Sequence, residues 1–264
     1  MGLHIFDTMG TTVSLNVAGA LPNASTLAEV EEAFVDIDRR FSLYRDDSEL
    51  SRIARGELPL TRADAEVRQS YADALDWARL TGDAFTPHRP DGVIDLSGLV
   101  KATAIDRAGR VLEAAGEVNW LINAGGDILL SGESNVGGSR EPWRLAIIDP
   151  QDRQGLLCLL DVTGSRSALA TSGTAERGEH VWRASGDHRR DGHRPDERLP
   201  FVQVSVLADD IVTADVLATA ILAGGPERSD DVLDRFDVDV LTVDGRGELT
   251  ASPGFRRAAG LLTA

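Results

Sequence analysis

The sequence predicts an α+β fold of mixed, mostly antiparallel strands with helices packed outside them. Three observations predict it. Stretches with apolar residues at alternate positions are interleaved with stretches spaced for helices. Glycine turns join strand pairs, and 42% of the 264 residues are hydrophobic against 27% charged, a balance ordinary for a packed globular chain. No linker-like break interrupts the pattern, so residues 1–264 read as a single domain.

The elements follow in order. "TTVSLNV" (11–17) alternates as a strand, and "STLAEVEEAFVDIDRRFSLY" (25–44) has helical spacing with Ser25 as its N-cap. A second helix covers 63–83, with Val67, Tyr71, Leu75 and Ala78 on one stripe and Gly82 stopping it. A third runs over 99–116 to Gly116, followed by "VNWLINAGGDILLSG", which reads as strand, glycine turn, strand. "WRLAIIDP" and "LLCLLDVTG" are apolar enough for central strands, which makes Cys158 a core residue. "SALATSG" and "FVQVSVLA" are two more strands, "DIVTADVLATAILAGG" is a helix, and "DVDVLTVDGRGELTAS" is a hairpin about Asp244 and Gly245. The polar stretch 183–200 reads as a mobile surface loop.

Charge narrows the function classes. A net charge of -16 disfavours nucleic acid and anionic membranes as partners, because no excess of Lys and Arg is present to neutralise phosphates. An anionic small ligand then needs a cation or a dedicated Lys beside it. The opening "MGLHIFDTMGTTVSLNV" lacks a basic region followed by an apolar core, and no stretch reads as a membrane span, so the expected compartment is the cytoplasm with no stable membrane association. The single cysteine excludes an intramolecular disulfide and a Cys-based metal cluster. Neither a GxGxxG after a strand, a GxxxxGK[ST] loop nor a GxSxG elbow occurs.

Four features carry chemistry. In "TADVLATAIL" (213–222) Asp215 and Thr219 lie four residues apart, so a helix points both oxygens to one face. Such hard donors suit Mg²⁺ or Ca²⁺; the alternative is a capping Asp and a Thr bonded to its own backbone. In "DLSGLVK" Asp95 ends a strand and Lys101 sits in the first turns of a helix, where the dipole and the ammonium together favour phosphate; the alternative is a capped helix with a solvated Lys. In "NAGGD" (123–127) Gly125 and Gly126 allow close backbone approach to an anion, or simply make a tight hairpin. His180, in "GEHVW", is a candidate base, whereas His4, His88, His188 and His193 read as surface residues.

Taken in order, these segments resemble the ApbE family of FAD:protein FMN transferases, in a short cytoplasmic form. The resemblance rests on "MGTT" (9–12), "FSLYRDDSELSRI" (41–53), "TGDAFTP", "DLSGLVKATAID", "LINAGGDI", "WRLAIIDP", "LATSGTAERGEHV" and "TADVLATAIL". It implies a cleft between two halves of the fold, with FAD against Met9, Tyr44, Ala84, Phe85, Asp95, Lys101 and Val181 and with Gly125 and Gly126 lining the pocket. It implies Mg²⁺ held by Asp215, Thr219 and the carbonyls of Gly98 and Ala218. The implied reaction moves FMN from FAD to a Ser or Thr hydroxyl of an acceptor protein, with Lys101 and Mg²⁺ neutralising the pyrophosphate and His180 as base. Departures stand at Thr86, where the family has Asp, at Ala102 after the Lys, and at Arg183 and Ala184 in place of Asp-Pro. They leave two other readings: an FAD pyrophosphatase giving FMN and AMP, and an FAD-binding protein without turnover. A purely structural set of turns and caps is the remaining alternative.

Overall fold

Strands β1 (Gly2–Thr8) and β2 (Thr11–Val17) open the chain as a hairpin closed by Met9 and Gly10, both at positive φ (49° and 71°). That is the backbone a two-residue turn needs to match the twist of its strands. This computed structural model describes residues 1–152, 154–174 and 199–261. The hairpin starts an eight-stranded sheet in the order β1-β2-β3-β4-β9-β10-β11-β12. Its further strands are β3 (Trp120–Ala124), β4 (Asp127–Ser131), β9 (Ala168–Gly173), β10 (Phe201–Ala208), β11 (Asp239–Asp244) and β12 (Leu249–Ala251). Every neighbouring pair in it runs antiparallel.

One face of this sheet carries most of the helices. Helix α1 (Ala24–Phe41) buries Val30, Phe34, Ile37 and Phe41 at helical spacing. Its N-cap is Asn23, whose side chain accepts the Thr26 N–H at 3.1 Å; Ser25 instead donates to Glu29 one turn on. Both residues can cap, and the chain enters the helix two residues earlier than a Ser25 cap would place it. After the short α2 (Glu49–Ala54), capped by Ser48, comes α3 (Ala65–Leu80), capped by Asp64. The buried stripe of α3 is Val67, Ser70, Ala74 and Ala78, with Tyr71 and Leu75 on its flank rather than at its centre. Helix α4 (Ser97–Ala114) packs between α1 and α5 (Ile211–Gly224), and α5 lies on β9 and β10. Helix α6 (Pro226–Arg235) continues from α5 through Gly225, whose φ of 73° breaks the helix.

The other face carries a second core. Among the described residues strands β7 (Trp143–Ile148) and β8 (Leu156–Val162) pair only with each other, so they are not the central strands their apolar runs suggested. They bury Trp143, Leu145, Ile147, Leu160 and Val162 against Leu121, Ile128 and Leu130 of the main sheet and Phe255 of α7 (Pro253–Ala258), while Leu156 and Leu159 face solvent. Cys158 is accordingly half-buried rather than in the core, and burial pushes its thiol pKa up. Strands β5 (Ser134–Val136) and β6 (Ser139–Glu141) form a small hairpin of their own. In the β11–β12 turn the Asp244 carboxylate accepts the N–H groups of Glu248 and Arg246, both at 2.8 Å, and these bonds hold its pKa below the usual carboxylate range. His88 is exposed as expected, whereas His4 is half-buried and bonded to Glu31 at 2.7 Å. Among the described residues no helix is long and apolar enough to cross a membrane.

Three substitutions test this packing. Asn23→Ala should cost about 1 kcal/mol in chemical denaturation, while Ser25→Ala should stay within about 0.5 kcal/mol. A Cβ on Gly109 would stand 2.9 Å from both Leu129 Cδ2 and Trp120 Cη2, where α4 crosses the sheet. Gly109→Val should therefore destabilise by about 1–3 kcal/mol, read in the same experiment.

Candidate active site at one end of the central sheet

Antiparallel pairing brings distant segments to one edge. Val13 pairs with Ala124, so the Met9–Gly10 turn and the Gly125–Gly126 turn lie side by side. They touch closely: a Cβ on Gly125, whose φ is 61°, would come within 2.6 Å of Thr11 Oγ1. Gly126 has φ 93° and its N–H is taken by Asn123 Oδ1 at 3.0 Å, so "NAGGD" is a tight hairpin that commits one of its donors internally. Strand β9 ends at the same edge, because Ile128 pairs with Leu169 and the chain then runs on to Gly173.

Two charged centres sit behind these turns. The first is Asp127, fully buried, the opening residue of β4. Its Oδ2 meets Lys101 Nζ from α4, and its Oδ1 accepts the Thr171 N–H of β9 at 3.1 Å. Lys101 is only 17% exposed, so it is a held ammonium and not a solvated one. The second is Asp215, also fully buried, on α5. Asp210, not Asp215, caps that helix by accepting the Thr213 N–H at 2.8 Å, which removes the capping alternative. Thr219, one turn beyond Asp215, has its hydroxyl 3.1 Å from that of Ser172, the residue after Thr171. The Thr171 hydroxyl in turn meets Ser205 of β10 at 2.9 Å. One strand, β9, thus links both charged centres.

The remaining expected residues arrange around them as follows. Phe85 is buried against Gly98, where a Cβ would stand 3.1 Å from the ring, and Ala84 borders Gly224 at the end of α5. Asp95 accepts the Ser97 N–H at 2.9 Å as the chain enters α4, and its own N–H bonds the Pro87 carbonyl at 2.8 Å. Met9 is half-buried in its turn, Ala218 is buried, and Tyr44 presents an 85% exposed ring from the α1–α2 link. Thr86 accepts the His88 N–H at 3.2 Å, and Ala102 is buried within the core. His180, Val181, Arg183, Ala184, His188, His193 and most of the 183–200 stretch lie outside the described residues.

Sequence reasoning missed the roles of Asp127, Thr171 and Ser172. The available signal was a charged residue opening the apolar strand "DILL", which a turn alone does not require. A separate open cavity of about 700 Å³ contains none of the expected residues. It lies at the opposite edge of the sheet, between the later turns of α4, the end of β4 and the start of α5, with Arg110, Glu113, Glu133, Arg166 and Asp210 in its wall.

Comparison with known proteins gives the family and the fold. The sequence model described as the ApbE family matches residues 9–90 and 87–242. The FAD:protein FMN transferase of Rhodobacter capsulatus is 32% identical over 198 residues, 74% of this chain and 37% of that protein. That of Vibrio cholerae is 24% identical over 314 residues, 93% of this chain and 89% of that protein. The chain therefore spans little more than a third of the first relative's length and most of the second's. Among solved structures, the ApbE protein of Thermotoga maritima superposes with a TM-score of 0.76 at 21% identity, covering 98% of this chain and 99% of that one. The apo form of the Pseudomonas stutzeri flavinyl transferase ApbE gives 0.75 at 22% identity, covering 99% and 98%. These structures establish the α+β fold. The family match, spread over both charged centres and both glycine-rich turns, establishes that the chain belongs to the ApbE family.

Proposed function

We propose that this protein transfers FMN from FAD to a Ser or Thr hydroxyl of an acceptor protein and releases AMP. One observation carries the reading: a buried carboxylate with a neighbouring hydroxyl on α5, and a held ammonium on α4, lie behind the glycine turns of one sheet edge. The names of the relatives support it, as does the order of the family motifs along the chain. Residues 1–264 act in this reading as one flavin transferase domain, with the cytoplasm as its compartment.

The chemistry follows from the charges. A hydroxyl oxygen of the acceptor bonds to the FMN-side phosphorus, the bond from that phosphorus to the bridging oxygen breaks, and AMP leaves with the electron pair. The proton goes to a base, for which His180 is the candidate. Negative charge builds on the pyrophosphate oxygens as this happens, and Lys101, held by Asp127, would neutralise it in this reading. Met9, Tyr44, Ala84, Phe85, Asp95, Val181, Gly125 and Gly126 would contact the FAD.

The donor set also fits a hard cation. Asp215 offers one carboxylate, Thr219 a hydroxyl on the same helix face, and Gly98 and Ala218 offer carbonyls. No cluster of three or more His, Cys, Asp or Glu gathers as a metal cage among the described residues. Oxygen donors with few carboxylates suit Mg²⁺, which keeps waters and shares substrate phosphates, better than zinc. Bound there, Mg²⁺ would supply positive charge to the pyrophosphate.

Two measurements test the proposal. Purified protein with FAD, Mg²⁺ and Ser/Thr-containing acceptor peptides should release AMP and leave flavin attached to peptide, and EDTA should stop it. Release of AMP with free FMN only would make the protein a pyrophosphatase, and retained FAD with no AMP would make it a binding protein. Asp215→Ala should lower AMP release by about 10²-fold or more, the scale of losing one group aimed at developing charge. The same variant should keep its circular dichroism spectrum and lose any Mg²⁺-dependent rise in melting temperature. Wild-type activity in Asp215→Ala would remove it from the metal site.

A further inference from the structure

We propose that Asp127 is a positioning residue for the reaction, one that fixes where the Lys101 ammonium stands. The inference rests on the flavin-transfer reading and gives a role in it to the carboxylate that follows the glycine turn. A carboxylate with no exposed surface, placed at the start of an apolar strand, demands a reason. Stability is a poor one, because a buried ion pair gains little over apolar residues of the same volume. Placement is a better one. A lysine carries its charge on a flexible four-carbon stem, and unheld it would sample many positions around α4.

Asp127 removes that freedom from three directions. Its backbone is set by the Ala124–Asp127 pairing that closes the glycine turn. Its Oδ1 is fixed by the Thr171 N–H, and its Oδ2 takes the Lys101 ammonium. The carboxylate therefore joins α4, β4 and β9 at one point. Thr171 is anchored onward to Ser205, and the next residue, Ser172, meets the hydroxyl of Thr219. A shift of Asp127 would move Lys101 directly, and through β9 it would reach the Asp215–Thr219 face as well. The ammonium and the oxygen ligands are in this way held at one separation, which a pyrophosphate bridging them requires.

The test is a double-mutant cycle with Asp127→Asn, Lys101→Met and the double variant. Asn keeps a carbonyl for the Thr171 N–H and loses only the charge that holds Lys101. The rate of AMP release from FAD with Mg²⁺ should fall at least tenfold in Asp127→Asn. KM for FAD should stay within threefold, because one negative charge fewer does not repel the substrate. The double variant should be no slower than Lys101→Met alone, within twofold. Losses that multiply, or a KM that rises in step with a falling melting temperature, would mean Asp127 serves the fold only.

If Asp127→Asn melts too low to assay, Asp127→Glu moves the charge outward by one methylene. It should cost at least fivefold in rate at near wild-type melting temperature, and an undiminished rate would overturn the proposal. FAD affinity, read by flavin fluorescence, separates this inference from the transfer reading. The penalty of Lys101→Met on affinity should change by threefold or more when Asp127 is already Asn. Equal penalties in both backgrounds overturn the positioning role even where the wild-type protein releases no AMP, an outcome that by itself sinks only the transferase reading.

Discussion

The contact between Lys101 and Asp127 is the constraint on which the candidate site depends. A buried carboxylate is tolerable only where a cation and N–H donors meet it, and here both conditions come from different elements. The cation comes from α4 and the N–H from β9, while the carboxylate itself stands at the start of β4. These three elements cannot shift independently without stranding a charge. Their mutual placement also sets how the Gly125–Gly126 turn abuts Thr11, since the turn is the direct lead into Asp127. Electrostatic satisfaction of one side chain thus becomes the geometry of a sheet edge.

Helix α5 solves a related problem by different means. It is buried on almost all sides, with Ala214, Ala218 and Ala220 among its fully covered residues. Small side chains let it approach β9, β10 and α4 closely, and that approach brings Thr219 to hydroxyl contact with Ser172. An acid in such a helix is expensive unless its charge is answered, which is why Asp215 points to function more strongly than any exposed acid of the chain. Substituting it tests a group whose burial is already known, so loss of fold and loss of chemistry can be told apart.

How much of this was legible in the sequence differs by element. Strands β2, β3, β4, β9, β10 and β11 were visible because alternation or apolar runs between glycines depend on local pattern alone. Helices α1, α3, α4 and α5 were visible for the same reason. The β7–β8 pair was misjudged: "LLCLLDV" is apolar but for Asp161, yet Leu156 and Leu159 face solvent. Which face of a strand is covered is decided by its tertiary partner and not by its composition. Asn23 and Ser25 are both capping types two residues apart, and only backbone geometry chooses between them. Lys101, Asp215 and Thr219 stood out as polar groups in apolar surroundings. Asp127 did not, because its pairing with Lys101 crosses 26 residues and depends on strand register, which no local periodicity reports.

The two ends of the sheet show why volume is a weak guide to function in this chain. The cavity of about 700 Å³ is roomy, yet its charge is wrong for a pyrophosphate. Arg166, at its edge, is already claimed by Asp209 at 2.9 Å, Asp237 at 2.6 Å and Asp239 at 3.2 Å, and it ties the β8–β9 link to β10 and β11. Arg110 is paired with Asp106, and Glu113, Glu133 and Asp210 add further negative charge. In a protein of net charge -16, an anion entering there would meet uncompensated carboxylates. At the opposite edge Lys101 is balanced by one carboxylate, and the oxygens of Asp215 and Thr219 are suited to gather a divalent cation. Lys101, Asp127 and Asp215 together sum to one negative charge, so under the proposed function it is a bound divalent cation that would turn this place positive, while the rest of the surface repels the same ligand.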